Sequence, residues 1–150
     1  MRISIIRTIA FILFSIGLTT ALAEELGRGE VIRIDDNNVE IFYTGSYALL
    51  IGESDYTHSW QDLNAIPGEL QLVEDLLKSQ DFQVETVLNL NASQLRNTIN
   101  HFINQYGFQK ENRLLFFYSG HGHTHNDKGY LVPIDVPHPN VDEKVFCKKL

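Results

Sequence analysis

Cysteine is almost missing from this chain. Its 150 residues contain one, Cys147, which excludes a disulfide within the chain and any zinc cluster built on cysteines. Basic side chains are also scarce: 12 Lys and Arg stand against 19 Asp and Glu, for a formal net charge of −7. Nucleic-acid backbones and anionic membrane surfaces are recognised through basic footprints, so neither partner class fits. A long hydrophobic run is lacking too. The most apolar stretch, Ile9 to Leu18, offers about ten residues where a bilayer takes ~20. No internal repeat or low-complexity segment occurs. What is present is a 43% apolar composition with nine Phe, six Tyr and one Trp, enough to fill the core of one ordinary domain.

Arg2 and Arg7 flank the start of that apolar run, and Ala21-Leu22-Ala23 sets small residues at the two positions a signal peptidase reads. Residues 1–23 are therefore expected to be a signal peptide, an uncleaved anchor being the alternative. Cleavage before Glu24 would remove two arginines and no acid, leaving a net charge of −9. The expectation is an exported bacterial protein, periplasmic or secreted.

Residues 24–45 read as an N-terminal extension with a short hairpin. Ile32 and Ile34 alternate before the turn residues Asp36-Asn37-Asn38, and Val39, Ile41 and Tyr43 after them. From residue 46 the pattern changes. Tyr47 to Ile51 is a continuous apolar run closed by Gly52, which suits a strand buried on both faces. Glu53 to Ile66 has no period and reads as a loop. Pro67 then suits a first helical turn, and Leu70, Val73 and Leu77 with Leu72 and Leu76 predict one broad apolar helix face. Phe82 to Leu88 alternates as a strand with one wetter side. Asn91 and Gln94 resemble a capping box, opening a helix lined by Leu95, Ile99, Phe102, Ile103 and Tyr106 and ended by Gly107. Leu114 to Tyr118 is a second fully apolar strand, and Tyr130 to Ile134 an extended run interrupted by Pro133.

Strand, helix, strand, helix, strand predicts a parallel sheet with helices on its faces. Asp142 to Leu150 opens like a helix, acids before lysines, and then stops without a cap. The expectation is a chain cut within an element.

In open α/β sheets the active groups gather at the carboxyl ends of strands. Leaving Leu114–Tyr118 are Ser119-Gly120-His121-Gly122-His123-Thr124-His125. The glycines on each side of His121 would let the backbone turn sharply and approach a ligand. Three readings stand side by side. The histidines can decorate a polar loop with Asn126, Asp127 and Gly129. His121, His123 and His125 alternate, so on an extended backbone they face one way and can form a metal site, although no carboxylate or fourth ligand stands at a recognisable spacing. His121 can also be the general base of a cysteine peptidase, with the next amide N–H aimed at an oxyanion.

Phe117-Tyr118-Ser119-Gly120-His121-Gly122 resembles the histidine motif of the caspase-like cysteine peptidases, in particular the metacaspase and paracaspase branch. Tyr47 to Gly52 resembles that family's first strand, Leu70 to Phe82 its first crossover helix, and Tyr130 to Asp135 the segment after the histidine loop. The resemblance covers about residues 47–140, in order. It implies a three-layer α/β/α sandwich with a mainly parallel sheet, residues 46–150 being a caspase-like peptidase domain truncated before its last strands. It implies cleavage of a peptide or protein substrate by a Cys-His dyad, with no cofactor and no catalytic metal. His121 becomes the catalytic imidazole and the Gly122 N–H an oxyanion-hole donor. Glu69 falls near the position where basic-specific relatives hold an acid for the substrate's Arg or Lys, though an acid in a first helical turn needs no function.

The family's nucleophile is a cysteine about 50 residues after the histidine, in an Asp-x-Cys context on the next strand. Only 29 residues follow His121. Cys147, between Phe146 and Lys148, lacks that context and is expected to be a small apolar neighbour of Phe146, not the nucleophile. The chain by itself is expected to be inactive, with an open sheet edge prone to aggregation unless a missing C-terminal segment covers it. A non-catalytic caspase-like binding module is the alternative from another class, and a metal-dependent hydrolase a third.

Overall fold

The computed structural model of the protein describes residues 30–35 and 38–149. The expected signal peptide and the turn residues Asp36 and Asn37 lie outside the described residues. Strands β1 (Glu30–Asp35) and β2 (Asn38–Phe42) pair antiparallel, Val31 opposite Ile41 and Arg33 opposite Val39.

The central strand is β3 (Gly45–Gly52), with parallel neighbours β4 (Gln83–Leu88) and β5 (Asn112–Ser119) in the order β4-β3-β5. Helix α1 (Ile66–Lys78) and helix α2 (Ala92–Tyr106) are the crossovers. Side chains alternate across a strand, so β3 serves two cores. Ala48 and Leu50 pack with Ile66, Leu70 and Leu77 of α1, and with Val84, Leu115 and Phe117 of the sheet. Leu49 and Ile51 pack with Leu95 and Phe102 of α2, and with Val87, Leu114 and Tyr118. A helix lies on each face of a parallel sheet, the three-layer α/β arrangement expected.

Two details of the expected elements change. Leu72 and Leu76 do not extend the buried face of α1: they are 72% and 62% exposed. Ile66, Leu70, Val73 and Leu77 share one narrow side at helical spacing, and Leu72 and Leu76 fall well round the cylinder from it. Ile103 of α2 is likewise exposed. Strand β5, fully apolar from Leu114 to Tyr118, is only partly buried: among the described residues it pairs only with β3, and Phe116 is 48% exposed at that edge.

The ends of α2 follow the expected chemistry. The Asn91 side chain accepts from the Ser93 and Gln94 amides, while the Gln94 side chain accepts from the Asn91 amide. Gly107 closes the helix in the right-handed region, and glycine fits there because a Cβ would collide with the Ile103 carbonyl oxygen.

After β5 the chain is more ordered than a polar loop. Strands β6 (Gly122–His125) and β7 (Lys128–Leu131) form a hairpin. Its two-residue turn, Asn126-Asp127, has φ of 49° and 60°, the backbone that Asn and Asp adopt most readily after glycine. Helix α3 (Pro139–Lys149) is kinked at Asp142, whose extended backbone and side chain, accepting the Val145 amide at 3.0 Å, restart the helix as a cap. Phe146 is thereby fully buried with Tyr56, Val132 and Val136 in a third cluster.

Candidate active site

The carboxyl end of the sheet carries the site. Two junctions fix it: Glu53 N–H donates to the Ser119 carbonyl (2.9 Å), tying the exits of β3 and β5 together. At the end of β4, Asn89 adopts φ of 58°, and its side-chain oxygen accepts from Ser54 N, Ser54 Oγ and Asp55 N within 3.1 Å. The loop after β3, which carries the site's aromatic residues, is therefore anchored at its root.

His121 is fixed through its backbone and its ring. Its N–H donates to the Tyr56 hydroxyl (2.8 Å), and its carbonyl accepts from the Val132 amide (3.0 Å). The Tyr118 hydroxyl donates to the Val132 carbonyl (2.9 Å) and lies 3.3 Å from the His121 carbonyl. The imidazole contacts the Tyr56 and Trp60 rings, with centroids at 4.8 and 5.0 Å. His121 Nε2 lies 2.8 Å from the Gln61 carbonyl oxygen. A carbonyl only accepts, so Nε2 carries a proton, and in the neutral form of the ring the lone pair is then on Nδ1. That is the electronic form of a general base.

Gly122 follows directly. The two-residue turn makes His125 and Lys128 a hydrogen-bonded pair, and such pairs alternate along an antiparallel ladder. His123 opposite Tyr130 is the next bonded pair, and Gly122 opposite Leu131 is a non-bonded position. The Gly122 N–H therefore points away from β7, on the outer side of the ladder.

The flanking glycines are not equivalent. A Cβ on Gly120 would stand 2.6 Å from the Tyr118 hydroxyl and 3.0 Å from that of Tyr56, whereas one on Gly122 would meet only the Tyr130 carbonyl at 3.7 Å. Close packing beneath the loop requires Gly120, and neither glycine has the positive φ that the expected sharp turn would use.

Near the Tyr56 and Tyr118 hydroxyls lies a buried acid. Glu53 is 0% exposed; its Oε2 accepts from the Leu90 amide (2.7 Å), while Oε1 has no hydrogen-bond partner. Burial pushes its carboxyl up to about 8, and the nearby Asp135 charge adds to the rise against the Leu90 bond. Glu53 is thus mainly a neutral acid at pH 7. The Tyr56 and Tyr118 hydroxyls are also held above their ordinary range, chiefly by burial.

Glu69 sits in the first turn of α1 with its side chain exposed. His123 and His125 face Phe146, with ring centroids at 4.9 and 6.3 Å, so the alternating histidines do share one side of β6. Among the described residues, no three His, Cys, Asp or Glu side chains group as a metal-ligand set. Cys147 stands beside Phe146, as expected, and both line one cavity. The cysteine is exposed, with Sγ 3.6 Å from His125 Nε2 at this cavity of about 380 Å³, which Asn126 and Tyr130 also line. It faces His125, not the Tyr56 and Trp60 surroundings of His121.

Sequence reasoning missed Glu53, Tyr56, Trp60 and Gln61, all within the aperiodic loop, and His138 beyond the hairpin. The available signal was compositional: the chain's one Trp and a Tyr stand in an otherwise polar segment.

Residues 46–150 match the family description "Caspase domain". Over 105 residues the chain is 30% identical to the human "Mucosa-associated lymphoid tissue lymphoma translocation protein 1", a match covering 67% of this chain and 12% of that protein. The mouse homologue is 30% identical over 107 residues, with the same coverage. The chain thus spans about an eighth of the length of these curated relatives.

Proposed function

The chain belongs to the caspase-domain family, as a caspase-like domain of the paracaspase and metacaspase type, and on that premise we propose that it is the histidine-bearing part of a cysteine endopeptidase. The observation that carries this reading is the state of His121: Nε2–H committed to the Gln61 carbonyl and Nδ1 left as the basic nitrogen. His121 takes the proton of an attacking thiol and returns it to the leaving amine of the scissile peptide. The Gly122 N–H, turned off the ladder, donates to the oxyanion that forms on the carbonyl. Glu69 is assigned to a basic side chain of the substrate; its exposure at the start of α1, on the sheet's active end, supports that role. The thiolate is assigned to a cysteine other than Cys147 and outside these 150 residues, because the Cys147 thiol lies beside His125 and not beside His121, the base of this reading. Export to the periplasm or medium of a bacterium, directed by residues 1–23, completes the proposal.

The test is peptide-amide hydrolysis by the protein made from its full coding sequence. His121→Ala should reduce turnover by about 10³-fold or more, whereas Cys147→Ala should leave it within about twofold. Full activity in His121→Ala would overturn the assignment. A wild-type protein that binds peptides and hydrolyses none would favour the non-catalytic module. An intact mass starting at Glu24 would support export, and one that includes residues 1–23 would count against cleavage.

A further inference from the structure

We propose that Trp60 is a positioning residue that holds the His121 imidazole in its Nε2–H form, and that His138 in turn holds Trp60. Three consecutive residues of the loop after β3 build this arrangement. Ser59 Oγ accepts from the His138 amide (3.1 Å). The Trp60 ring meets His138 at 4.5 Å and His121 at 5.0 Å between centroids. The Gln61 carbonyl accepts from His121 Nε2 (2.8 Å). The residue that supplies the acceptor is thus bonded directly to the one that walls the ring.

The wall is needed because one hydrogen bond leaves an imidazole free to tilt and turn over. A ring flip exchanges Nε2 for a carbon and removes the tautomer preference that the carbonyl imposes. Aromatic contact on a ring supplies the second constraint. His138 is itself pinned at the entry to α3, where its Nδ1 accepts from the Asn140 amide (3.2 Å). Three ring contacts, with His121, His138 and more distantly His123 at 6.2 Å, surround one indole.

The indole N–H marks this as more than core filling. Trp60 Nε1 is buried and makes no hydrogen bond among the described residues. Among the described residues, ring packing and not a hydrogen bond therefore holds the indole in place. The catalytic meaning of this contact rests on the assignment of His121 above; the positioning itself is a property of the folded chain.

The experiment is long-range 1H–15N correlation of the histidine rings in the full chain, at an alkaline pH where free imidazole is neutral. In the wild type, His121 should appear as the Nε2–H tautomer. Trp60→Phe should preserve it, because a ring remains, while Trp60→Leu should lower the ratio of Nε2–H to Nδ1–H about fivefold with the amide spectrum intact. His138→Ala should move the ratio in the same direction by less. A folded Trp60→Leu protein with His121 still wholly Nε2–H would overturn the proposal. Should Trp60→Leu fail to fold, His138→Ala decides: an unchanged His121 tautomer overturns it and a mixed one supports it. A disturbed tautomer in a protein that hydrolyses no peptide would keep the positioning role and remove its catalytic meaning.

Discussion

The two sides of the sheet and the cap at its carboxyl end are held by different chemistry. The α1 core is largely aliphatic, built on Ala48, Leu50 and Leu70, while the α2 core sets Leu49, Ile51 and Leu95 with Phe102 and a Tyr47–Tyr106 stack; both are closed by dispersion and burial. The cap gathers Tyr56, Trp60, Val132, Val136 and Phe146, and beside them a buried acid and two hydroxyls. Close-packed aliphatic layers specify a shape and tolerate no water. Hydroxyls and rings specify where particular atoms stand. The division means that stability and site geometry can be damaged separately, and variants in the two regions should differ in kind.

The largest effect belongs to the sheet. Leu50→Ala removes a fully buried side chain from the centre of the middle strand, and it should cost about 2–5 kcal/mol. Urea unfolding should show an earlier midpoint at every pH, with the His121 ring signals unchanged while the protein remains folded. A cost that varied strongly with pH would mean that the aliphatic core and the ionisable cap are one cooperative unit.

The cap should give the opposite signature. Glu53 binds its proton up to about pH 8 in the folded chain and releases it near the ordinary value of 4.5 when unfolded. Between those limits the folded state holds more protons than the unfolded state, so stability falls as pH rises and levels off above about 8. Glu53→Gln keeps the shape without the charge. It should match the wild type near pH 5 and exceed it by on the order of 3 kcal/mol by pH 8 to 9, read from urea midpoints across that range. A pH-independent gap would show that the carboxyl is not kept neutral by burial.

This division also explains what could be read from the sequence. The strands and helices of the sheet follow from apolar period, and the α2 cap from Asn91 and Gln94, because those signals are local. His121 and Gly122 stand out as a strand exit followed by a glycine-flanked histidine. Tyr56, Trp60 and Gln61 carry no period and act at a separation of about 60 residues from His121, so nothing local announces them. The β6–β7 hairpin was hidden for a related reason: its strands are short and polar, and its turn uses Asn126-Asp127 without glycine. Leu72 and Leu76 failed in the other direction, since apolarity alone does not say which side of a helix meets the sheet.

The smallest effect separates two residues that the sequence presents as a matched pair. Gly120→Ala should cost about 1–3 kcal/mol, because the new methyl must displace the hydroxyls of Tyr118 and Tyr56 that hold Val132 and His121. Gly122→Ala meets only ordinary van der Waals distance and should stay within about 0.5 kcal/mol of the wild type. Thermal unfolding of both variants measures the difference, and the His121 amide signal locates it. That signal should shift in Gly120→Ala, since its acceptor is the displaced Tyr56 hydroxyl. Equal costs would mean that the loop relaxes around either methyl and that the hydroxyl pair does not fix the histidine. Unequal costs in the stated order would place the steric requirement beneath His121 and leave the position after it free to serve the oxyanion.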